Sequence, residues 1–565
     1  QNVMTDYAQT NPAEMSPLSL RLRRIAGLAL KTRFLPMTVI ALLTLVLLLL
    51  SVDFPWLLVL VAVGLGLTLL GIQNLVQRRH SILRNYPIIG YFRFIFEELR
   101  PELRQYFFES DTDGTPFNRN DRSLVYRRAK GALDKMPFGT ELDVYGNAFE
   151  WLNHSMVPKD PSHESFRVKV GGPDCTKPYD ASVLNISGMS FGALSAAAIS
   201  SLNRGARIGG FAHGTGEGSF SRYHREQGGD VIWQIASGYF GCRNADGSFS
   251  DEAFRDQAAN EQVKMIELKL SQGAKPGHGG VLPAPKVSPE ISRARGVPMG
   301  VDCISPPRHP AFSTPIGMME FIAKLRELSG GKPVGFKLCI GHPWEFLGIC
   351  KAMLQTGITP DFIVIDGSEG GTGAAPVEFV DHLGTPLRDG LMFVHNALVG
   401  LNLRDRVRIA ASGKVISAFD IARTMALGAD WCNAARAFMF AVGCIQSQKC
   451  HTDHCPTGVA TQDPVRQRAL VVPDKADRVA LFHRSTITAL AEVVAAAGLD
   501  HPGQLGPHHF SHRYNNGRVE RLDQVHRFLR PGEILDGTDD PRFAEPWHRA
   551  SAECFNPAVE MTGRR

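Results

Sequence analysis

Two long apolar runs lie near the beginning of the 565-residue sequence. Residues 34–52 and 54–72 contain no charged side chain, and each has the length that an α-helix needs to cross the hydrocarbon core of a bilayer. Only Asp53 separates the two runs, so the pattern predicts an antiparallel helical hairpin with its turn at Pro55 and Trp56. Because arginine and lysine flank the hairpin on both sides, the positive-inside rule places both of its ends in the cytoplasm. A hydrophobic hairpin buried inside a soluble protein is the alternative.

The sequence after the hairpin changes character twice. Residues 80–165 are of mixed polarity, and the segment 90–111 has the period of an amphipathic helix that lies close to a membrane. From about residue 166, short apolar runs ending in glycine, serine or aspartate alternate with helical stretches, which is typical of parallel β/α architecture. Eight such runs occur: VLNISG (183–188), GFAHGT (210–215), DVIWQIAS (230–237), MGVDCIS (299–305), PVGFKLCIG (333–341), DFIVIDGS (361–368), RVRIAASG (406–413) and GADWCNAAR (428–436). The sequence therefore predicts an α/β fold, a closed (β/α)8 TIM barrel whose chemistry lies at the carboxyl ends of its strands.

These patterns divide the chain into five predicted segments. They are a basic cytoplasmic amino-terminal segment (1–33), a transmembrane hairpin (34–72), a mixed connecting region (80–165), the barrel (166–500) and a carboxyl-terminal extension (501–565). This arrangement predicts a protein of the inner (cytoplasmic) membrane whose catalytic domain is in the cytoplasm.

Charge and cysteine content narrow the range of functions. Lys and Arg number 61 against 56 Asp and Glu, a net charge of +5 that is too small and too dispersed to indicate nucleic-acid binding. Seven of the ten cysteines are scattered, mostly through apolar runs, with no disulfide framework, which fits a reducing compartment. No glycine-rich dinucleotide fingerprint follows a strand, so the sequence does not favour direct reduction by NAD(P)H.

The remaining cysteines share one polar run, GCIQSQKCHTDHCPTG, and are Cys444, Cys450 and Cys455. Their C-x5-C-x4-C-P spacing brings three thiolates within reach of one small iron–sulfur cluster, and Pro456 and Gly458 favour the turn that closes the loop. Three ligands predict a three-iron cluster, with a fourth iron if another residue reaches in. A zinc site that includes His451 and His454, and a set of unpaired buried thiols, are the two alternatives.

Three predicted loops at the carboxyl ends of strands are candidates for ligand binding. The loop EGGTGAAP after the sixth run includes Gly371 and Gly373, which let the backbone approach a ligand closely. The loops after the seventh and eighth runs lead into helices, which is the usual phosphate site of such barrels. Their candidate residues are Ser412, Gly413, Ala434, Ala435 and Arg436.

Two cationic side chains are candidate anion contacts. Lys337 lies inside the apolar run PVGFKLCIG, where a lysine is costly to bury unless it points into the barrel mouth toward an anion or a reduced flavin. Arg436, near the start of the last barrel helix, is placed to bind phosphate. A structural role is the alternative for each of these residues.

A series of motifs occurs in one order within residues 80–530. They are SGMSFGALS (187–195), GTGEGS (214–219), QIASGYFG (234–241), KLSQGAKPGHGG (269–280), ISPPRHP (304–310), GFKL (335–338), DGSEGGTGAAP (366–376) and GCIQSQKCHTDHCPTGVATQ (443–462). In this order they resemble the flavin-binding synthase domain of glutamate synthases, in the single-chain, membrane-anchored form known as the FMN-binding glutamate synthase family. The resemblance implies FMN and a 3Fe-4S cluster held by the three cysteines of the run at 443–458.

The resemblance also implies roles for individual residues. The FMN contacts would be Met189, Ser190, Phe191, Gly192, Gln234, Lys337, Gly371, Gly373, Ser412, Gly413, Ala434, Ala435 and Arg436. The catalytic side chains would be Lys337, Lys275 and Gln234. The substrate contacts would be Arg308, Lys275 and Ser190.

The implied reaction is the reduction of 2-iminoglutarate, formed from 2-oxoglutarate and ammonia, to glutamate, with electrons passed from the cluster to FMN. Where the larger synthases carry a glutamate, this chain has His278, and ammonia is expected from a source other than glutamine hydrolysis in the same chain. The expected electron donor is ferredoxin or a membrane-associated reductase. Two alternatives remain open: a flavin oxidoreductase of the same fold that acts on another oxo or imino acid or is coupled to a quinone, and a noncatalytic 2-oxoglutarate or redox sensor.

Overall fold

Two apolar helices pack side by side in the first part of the chain. In the computed structural model, which describes residues 33–164 and 166–557, helix Leu35–Leu50 is joined by a tight turn to helix Leu58–Val76. Gly64 lies against Thr44 and Gly71 lies against Met37, so the two helices run antiparallel. A Cβ atom at Gly64 would overlap the hydroxyl of Thr44, and this glycine therefore allows the close approach of the helices.

Among the residues that the structure describes, three helices are apolar enough to be considered as membrane spans, but they differ in length and exposure. The helical stretch Pro55–Val76 has 22 residues, enough to cross a bilayer, whereas Leu35–Leu50 has 16. At 1.5 Å per residue, the shorter helix spans roughly 24 Å of a hydrocarbon core that is about 30 Å thick. Helix Val472–Ala496 is also long enough, but more than half of its most apolar part is buried. It is therefore a core helix of the barrel.

The described residues fall into two compact units, 33–109 and 110–557. The first unit continues beyond the hairpin with Ser81–Asn85, Gly90–Leu103 and a π-helical turn, Arg104–Phe108. Helix Gly90–Leu103 carries Phe92, Phe96 and Leu99 at helical spacing, and all three side chains are exposed. This segment has the amphipathic pattern that the sequence predicts.

The second unit is built around a closed barrel of eight strands, all parallel, which confirms the predicted fold. In chain order the strands are β1 (Leu184–Ile186), β2 (His213–Gly214), β3 (Val231–Ile235), β4 (Val263–Lys269), β5 (Val334–Leu338), β6 (Phe362–Asp366), β7 (Arg408–Ser412) and β8 (Trp431–Ala434). Strand β8 pairs with β1, with Asn433 opposite Asn185, and this pairing closes the barrel.

One predicted strand was wrong. The run 299–305 contributes only Cys303–Ile304, which pairs antiparallel with Val281–Leu282 outside the barrel. The fourth barrel strand is β4, which the sequence reading missed because Lys264, Glu267 and Lys269 interrupt its apolar pattern. An apolar run predicts a buried strand well only when no charged side chain points into the barrel.

Helices and small sheets surround the barrel. The longer helices are Arg119–Ala129, Ala196–Gly209, Asp251–Ala258, Pro315–Leu328, Pro343–Thr356, Leu387–Gly400, Ala418–Ala426 and Val472–Ala496. The shorter ones are Arg222–Arg225, Ala284–Lys286, Pro289–Arg295, Val377–His382, Arg436–Val442, Pro464–Gln467, Pro502–Gln504, Pro507–His509, Leu522–Val525, Glu533–Asp536 and Ala544–Arg549. Glu150–Leu152, Phe510–Arg513 and Val519–Arg521 form an antiparallel sheet, and Arg167–Val170 pairs with Tyr179–Ser182.

Side chains inside the barrel change from apolar to polar along its axis. Near the amino ends of the strands, a buried cluster includes Ile232, Met265, Val364, Ala410 and Trp431. Val170 and Tyr179 belong to the same cluster and come from the β-hairpin of Arg167–Val170 and Tyr179–Ser182, which covers this end of the barrel. Successive residues of a strand point to opposite faces, so positions two residues further along face the same interior. Those positions carry Gln234, Glu267, Asp366, Ser412 and Asn433. The barrel interior is therefore packed with apolar side chains at the amino ends of the strands and lined by polar side chains at their carboxyl ends.

We expect the folded protein to lose stability as the pH falls below about 6.5, the ordinary pKa of histidine. His483 is buried between the ring of Phe211 and the start of the barrel, and its Nε2 atom lies 3.1 Å from the carbonyl oxygen of Leu184. Burial lowers the pKa of His483 to about 3. Between these two pH values the unfolded chain binds a proton that the folded chain does not, so acid favours unfolding by about 1.4 kcal/mol per pH unit.

Denaturant unfolding of the full chain in detergent between pH 7.5 and 5 would measure this effect. The variant His483→Gln keeps an amide donor and removes the titration, so its pH dependence should be shallower than that of the wild type. Equal slopes for the two proteins would contradict the assignment.

Candidate functional site

Four buried polar side chains meet inside the carboxyl end of the barrel. Lys337 of β5 forms an ion pair with Asp366 of β6, with 3.3 Å between Nζ and Oδ2. The side-chain amide of Gln234 in β3 donates to Glu267 of β4 at 2.5 Å. All four side chains are less than a tenth exposed. Neighbouring strands therefore supply one connected set of charges, which we call the mouth cluster.

The charge state of the mouth cluster follows from its contacts. Burial alone would lower the pKa of Lys337, but the carboxylates of Asp366 and Glu267 raise it above the ordinary lysine value. Burial raises the pKa of Glu267, although Lys337 and the bond from Gln234 oppose this. Lys337 is therefore a fixed cation at neutral pH, and Glu267 holds a proton more readily than an ordinary glutamate.

A second ion pair joins the loop after β2 to the point where β4 ends and its following loop begins. The Nζ atom of Lys269 lies 3.0 Å from Oε2 of Glu217 and 2.6 Å from Oε1 of Gln272. Lys275, further along the same loop, is buried and donates to the carbonyl oxygen of Ala374 at 3.2 Å. Burial lowers the pKa of Lys275, and the charge of Lys269 acts in the same direction. This loop thus brings two cations to the barrel mouth.

Two further cations stand together beside the loops after β7 and β8. The guanidinium group of Arg436 lies 4.7 Å from the ring centre of Phe117, and the Nζ atom of Lys414 lies 5.9 Å from the same centre. Burial lowers the pKa of Arg436 to about 10 and also lowers the pKa of Lys414, to which the charge of Arg436 contributes. Two adjacent cations that disfavour each other are a suitable site for a dianionic phosphate.

The glycine-rich loop after β6 contacts this cation pair. Arg436 donates through Nη2 to the carbonyl oxygen of Glu369 at 2.9 Å, and a Cβ atom at Gly371 would lie 2.7 Å from its guanidinium carbon. A side chain at Gly371 would therefore displace Arg436. Gly373 lies further out, beside Cys450 of the cysteine loop. Ser412 at the end of β7 contacts Ser187, with 3.3 Å between the two hydroxyl oxygens.

The loop after β1, residues 187–195, lies across the mouth. Gly188 fits against the side-chain amide of Gln234, where a Cβ atom would approach within 2.9 Å. Met189 and Ser190 are half-buried and pack against the backbone of Gly216. Phe191 and Gly192 are buried, and the ring of Phe191 packs against Tyr223 with 4.9 Å between centroids. Ala434 and Ala435, at the end of β8, lie next to the start of this loop, because the backbone N–H of Ser187 donates to the carbonyl oxygen of Ala434 at 3.0 Å.

Arg308, a predicted substrate contact, has an exposed side chain. Its loop is anchored at the mouth because Ser237 donates to the carbonyl oxygen of Pro306 and His309 contacts the carbonyl oxygen of Lys269 at 2.8 Å. Arg308 therefore lies on a loop fixed to the ends of β3 and β4 without joining the mouth cluster. Sequence reasoning missed Glu267, Asp366, Lys269, Glu217, Lys414 and Phe117. Of these, Asp366, Glu267 and Phe117 contact predicted residues directly.

The three cysteines of the run at 443–458 influence one another electrostatically. Burial, with the neighbouring thiolates, raises the pKa of Cys444 to about 12, and burial and Cys455 raise that of Cys450. Burial would also raise the pKa of Cys455, but the amide groups of Ala460 and the residues before it hold it below the ordinary value. Amides directed at a thiolate are typical of iron–sulfur loops.

In the described ranges 33–164 and 166–557, no group of three or more His, Cys, Asp and Glu side chains is placed to hold a single metal ion. An iron–sulfur cluster does not require its thiolates to surround a single ion, because each thiolate binds a different iron atom. The donor set, three thiols with backbone amides directed at one of them, fits such a group.

The fold and the mouth define a class: a parallel (β/α)8 barrel with charged side chains and glycine-rich loops at the carboxyl ends of its strands. Residues 175–500 match the family model described as the conserved region in glutamate synthase. The chain belongs to the glutamate synthase family. The predicted enzyme class, an oxidoreductase acting on CH–NH2 donors, is the class of this family.

Relatives in several organisms support the assignment. The glutamate synthase large subunit-like protein YerD of Bacillus subtilis is 39% identical over 500 residues, which cover 81% of this chain and 95% of that protein. An archaeal-type glutamate synthase [NADPH] of Thermotoga neapolitana is 35% identical over 314 residues, 55% of this chain and 58% of the relative. The glutamate synthase [NADPH] large chain of Azospirillum brasilense is 33% identical, and the match covers 63% of this chain but only 22% of that protein.

Solved structures with a similar fold are more distant. A mandelate oxidase with an FMN adduct has a TM-score of 0.38 and 14% identity, covering 75% of this chain and 99% of that one. A flavocytochrome b2 has a TM-score of 0.38 and 11% identity, covering 78% and 89% of the two chains. Similarity at this level gives no residue-by-residue correspondence.

Proposed function

We propose that this protein is a membrane-anchored oxidoreductase that uses FMN and an iron–sulfur cluster to reduce 2-iminoglutarate to glutamate. The observation that carries the proposal is the mouth cluster, a buried lysine paired with carboxylates at the carboxyl ends of β3 to β6, in a chain of the glutamate synthase family. The overall reaction joins 2-oxoglutarate and ammonia with loss of water and then adds two electrons and two protons. Ferredoxin or a membrane-associated reductase is the proposed source of electrons.

The mouth fits FMN on two sides. The cation pair Arg436 and Lys414 would hold the phosphate, with Ser412, Gly413, Gly371 and the 434–436 turn around it. On the side of β1 and β2, Gly188 and Gly216 let the loop after β1 pack closely against the loop after β2 and against Gln234, so these loops would form the wall beside the flavin. Bound FMN would supply the hydride that reduces the imine carbon. Lys337 would lie near the flavin ring and stabilise negative charge on it.

The substrate side of the mouth suits a dicarboxylate. Lys275 and Arg308 would each bind one carboxylate, and Ser190 would donate a hydrogen bond from the loop that lies across the mouth. Gln234 and Glu267 form a connected donor and acceptor pair beside this space. Because the pKa of Glu267 is raised, its carboxyl oxygen is the proposed place for the proton that accompanies reduction.

The three thiols of the cysteine loop would hold the cluster, whose chemistry is one-electron transfer. Cys444 accepts a hydrogen bond from the backbone N–H of Gln446 at 3.4 Å, and Cys455 lies 3.5 Å from the hydroxyl of Thr457. These contacts orient two of the three sulfur atoms. Hydrogen bonds to thiolates also stabilise their negative charge, as a cluster requires.

One experiment tests the function directly. Detergent-purified protein is reduced anaerobically with dithionite, and the flavin spectrum is followed as 2-oxoglutarate and ammonium are added singly and together. We expect reoxidation of the flavin only when both are present. A protein without flavin would refute the proposal, and a flavin that stays reduced would show that the fold acts on another substrate.

The membrane part of the proposal rests on the exposed hairpin. Leu65 in the second helix and Val46 in the first are about half exposed, and no charged side chain occurs in either helix. With basic residues on both flanks, both ends of the hairpin would face the cytoplasm.

We expect the full chain to stay in the membrane fraction after a high-salt wash. Replacing Leu65 with arginine places a charge near the middle of the longer helix, which costs about 3 kcal/mol in insertion, so the double variant Val46→Arg/Leu65→Arg should appear in the soluble fraction. Leu354→Arg, at a similarly exposed leucine of the barrel unit, is the matched control and should not change the distribution. Retention of the double variant in membranes would argue against the hairpin as the anchor.

A further inference from the structure

A buried lysine joins the loop that lies across the mouth to the cysteine loop. Lys286 lies in the segment between β4 and β5 and is only 3% exposed. Its ammonium group donates to the carbonyl oxygen of Ala193 at 3.2 Å and to that of Ala460 at 3.0 Å. Ala193 belongs to the loop after β1, and Ala460 follows Cys455. Lys286 therefore bridges the proposed flavin site and the proposed cluster site.

The carbonyl groups of residues 191–194 are all occupied by side-chain donors. Arg295 donates to Phe191 at 3.0 Å, and Lys286 donates to Ala193. Gln462 donates to both Gly192 and Leu194 at 2.9 Å. Gln462 makes the same kind of bridge as Lys286 but carries no charge. Variants of Lys286 and Gln462 can therefore be compared to separate the effect of losing a bridge from the effect of losing a charge.

The charge of Lys286 lies close to the cysteine loop. Cys450, Cys455 and Asp453 are the groups whose negative charges act on its ammonium group. Asp453 is itself engaged by the backbone N–H of Gln462 at 2.7 Å, so it offsets only part of the positive charge. Few water molecules screen a charge that is this deeply buried, and its interaction with neighbouring charges is correspondingly strong.

We propose that Lys286 is a positioning residue that raises the reduction potential of the cluster held by Cys444, Cys450 and Cys455. Reduction adds one electron, and therefore one negative charge, to the cluster. A fixed cation nearby stabilises the reduced form more than the oxidised form, and net charge and hydrogen bonding are the means by which a protein sets such potentials. This inference rests on the proposed function, because it requires the cluster to be present.

Potentiometric titration of the purified full chain with dithionite, monitored by electron paramagnetic resonance, tests the proposal. In Lys286→Met we expect the ratio of reduced to oxidised cluster at a fixed potential to fall about tenfold, a shift of about 59 mV to more negative potential for one electron. Gln462→Leu breaks the neutral bridge and should shift the potential much less. Lys286→Arg keeps the charge and should restore a potential close to that of the wild type.

The outcomes separate the two proposals. A wild-type protein that contains no iron–sulfur cluster would overturn the proposed function. A cluster with the same potential in Lys286→Met and in the wild type would overturn only the role of Lys286. Equal shifts in Lys286→Met and Gln462→Leu would show that the bridge matters and the charge does not. If Lys286→Met assembles no cluster, Lys286→Gln, which keeps a donor without the charge, takes its place in the titration.

Discussion

Replacing Lys337 with methionine should lower turnover with 2-oxoglutarate and ammonia by a factor of about 100 to 1,000, the usual effect of removing one preorganised electrostatic contact. Lys337 is the cation of the mouth cluster, paired with Asp366 at 3.3 Å. Without it, two buried carboxyl groups lie where negative charge would develop on a reduced flavin. We expect kcat to fall more than KM rises, because the lysine acts mainly on the reacting state. Steady-state kinetics and flavin content together provide the measurement.

Two further variants make this result specific. Lys332→Met removes another buried lysine, whose ammonium group donates to the carbonyl oxygen of Asn260 at 2.9 Å near the amino end of β5, and its turnover should stay close to that of the wild type. Lys337→Arg keeps the charge and should recover part of the activity. Unchanged turnover in a folded Lys337→Met protein with full flavin content would remove Lys337 from the mechanism.

Cys450→Ser should abolish the broad visible absorbance of the cluster and most of the bound iron. A hydroxyl is a poor ligand for iron in these clusters, and a loop that depends on the metal for part of its stability loses that contribution with it. The spectrum and the iron content per chain are the measurements. Thermal unfolding should also begin at a lower temperature, since the loop is hydrogen-bonded to residues 192–195 of the barrel.

Cys175→Ser is the matched control for this substitution. Cys175 is also half-buried, but its thiol donates to the carbonyl oxygen of Gly331 at 3.4 Å, away from the cysteine loop. Its iron content and absorbance should equal those of the wild type. Full iron content in Cys450→Ser would refute the ligand assignment.

The pattern of apolar runs predicted seven of the eight barrel strands. It did not predict β4, because charged residues interrupt the apolar pattern of that strand. Strand β4 has charged residues at Lys264, Glu267 and Lys269, and two of them face the polar mouth or its loop. The same feature had marked Lys337 as a candidate in β5. A charged residue inside an otherwise apolar strand was therefore the signal that would have found Glu267 as well.

The partners within the site were harder to predict than its individual residues. Lys414 and Phe117 are nearly 300 residues apart, yet both contribute to the environment of Arg436. No local pattern encodes such a contact, because it depends on how loops of different strands fold over the barrel. The exposed position of Arg308 has the same origin, since its loop is held by contacts with Ser237 and Lys269, which belong to other parts of the chain.

The apolar filling at the amino end of the barrel determines how small molecules reach the mouth. Trp431, Phe362 and Met265 are fully buried there, and the hairpin Arg167–Val170 with Tyr179–Ser182 covers them. The barrel axis is thus filled at that end, so under the proposed function ammonia, the oxo acid and the product glutamate would not pass through it and would enter and leave by the mouth. Substrates and product would then use the same end of the barrel, so a glutamate molecule that leaves slowly would delay the entry of the next substrate.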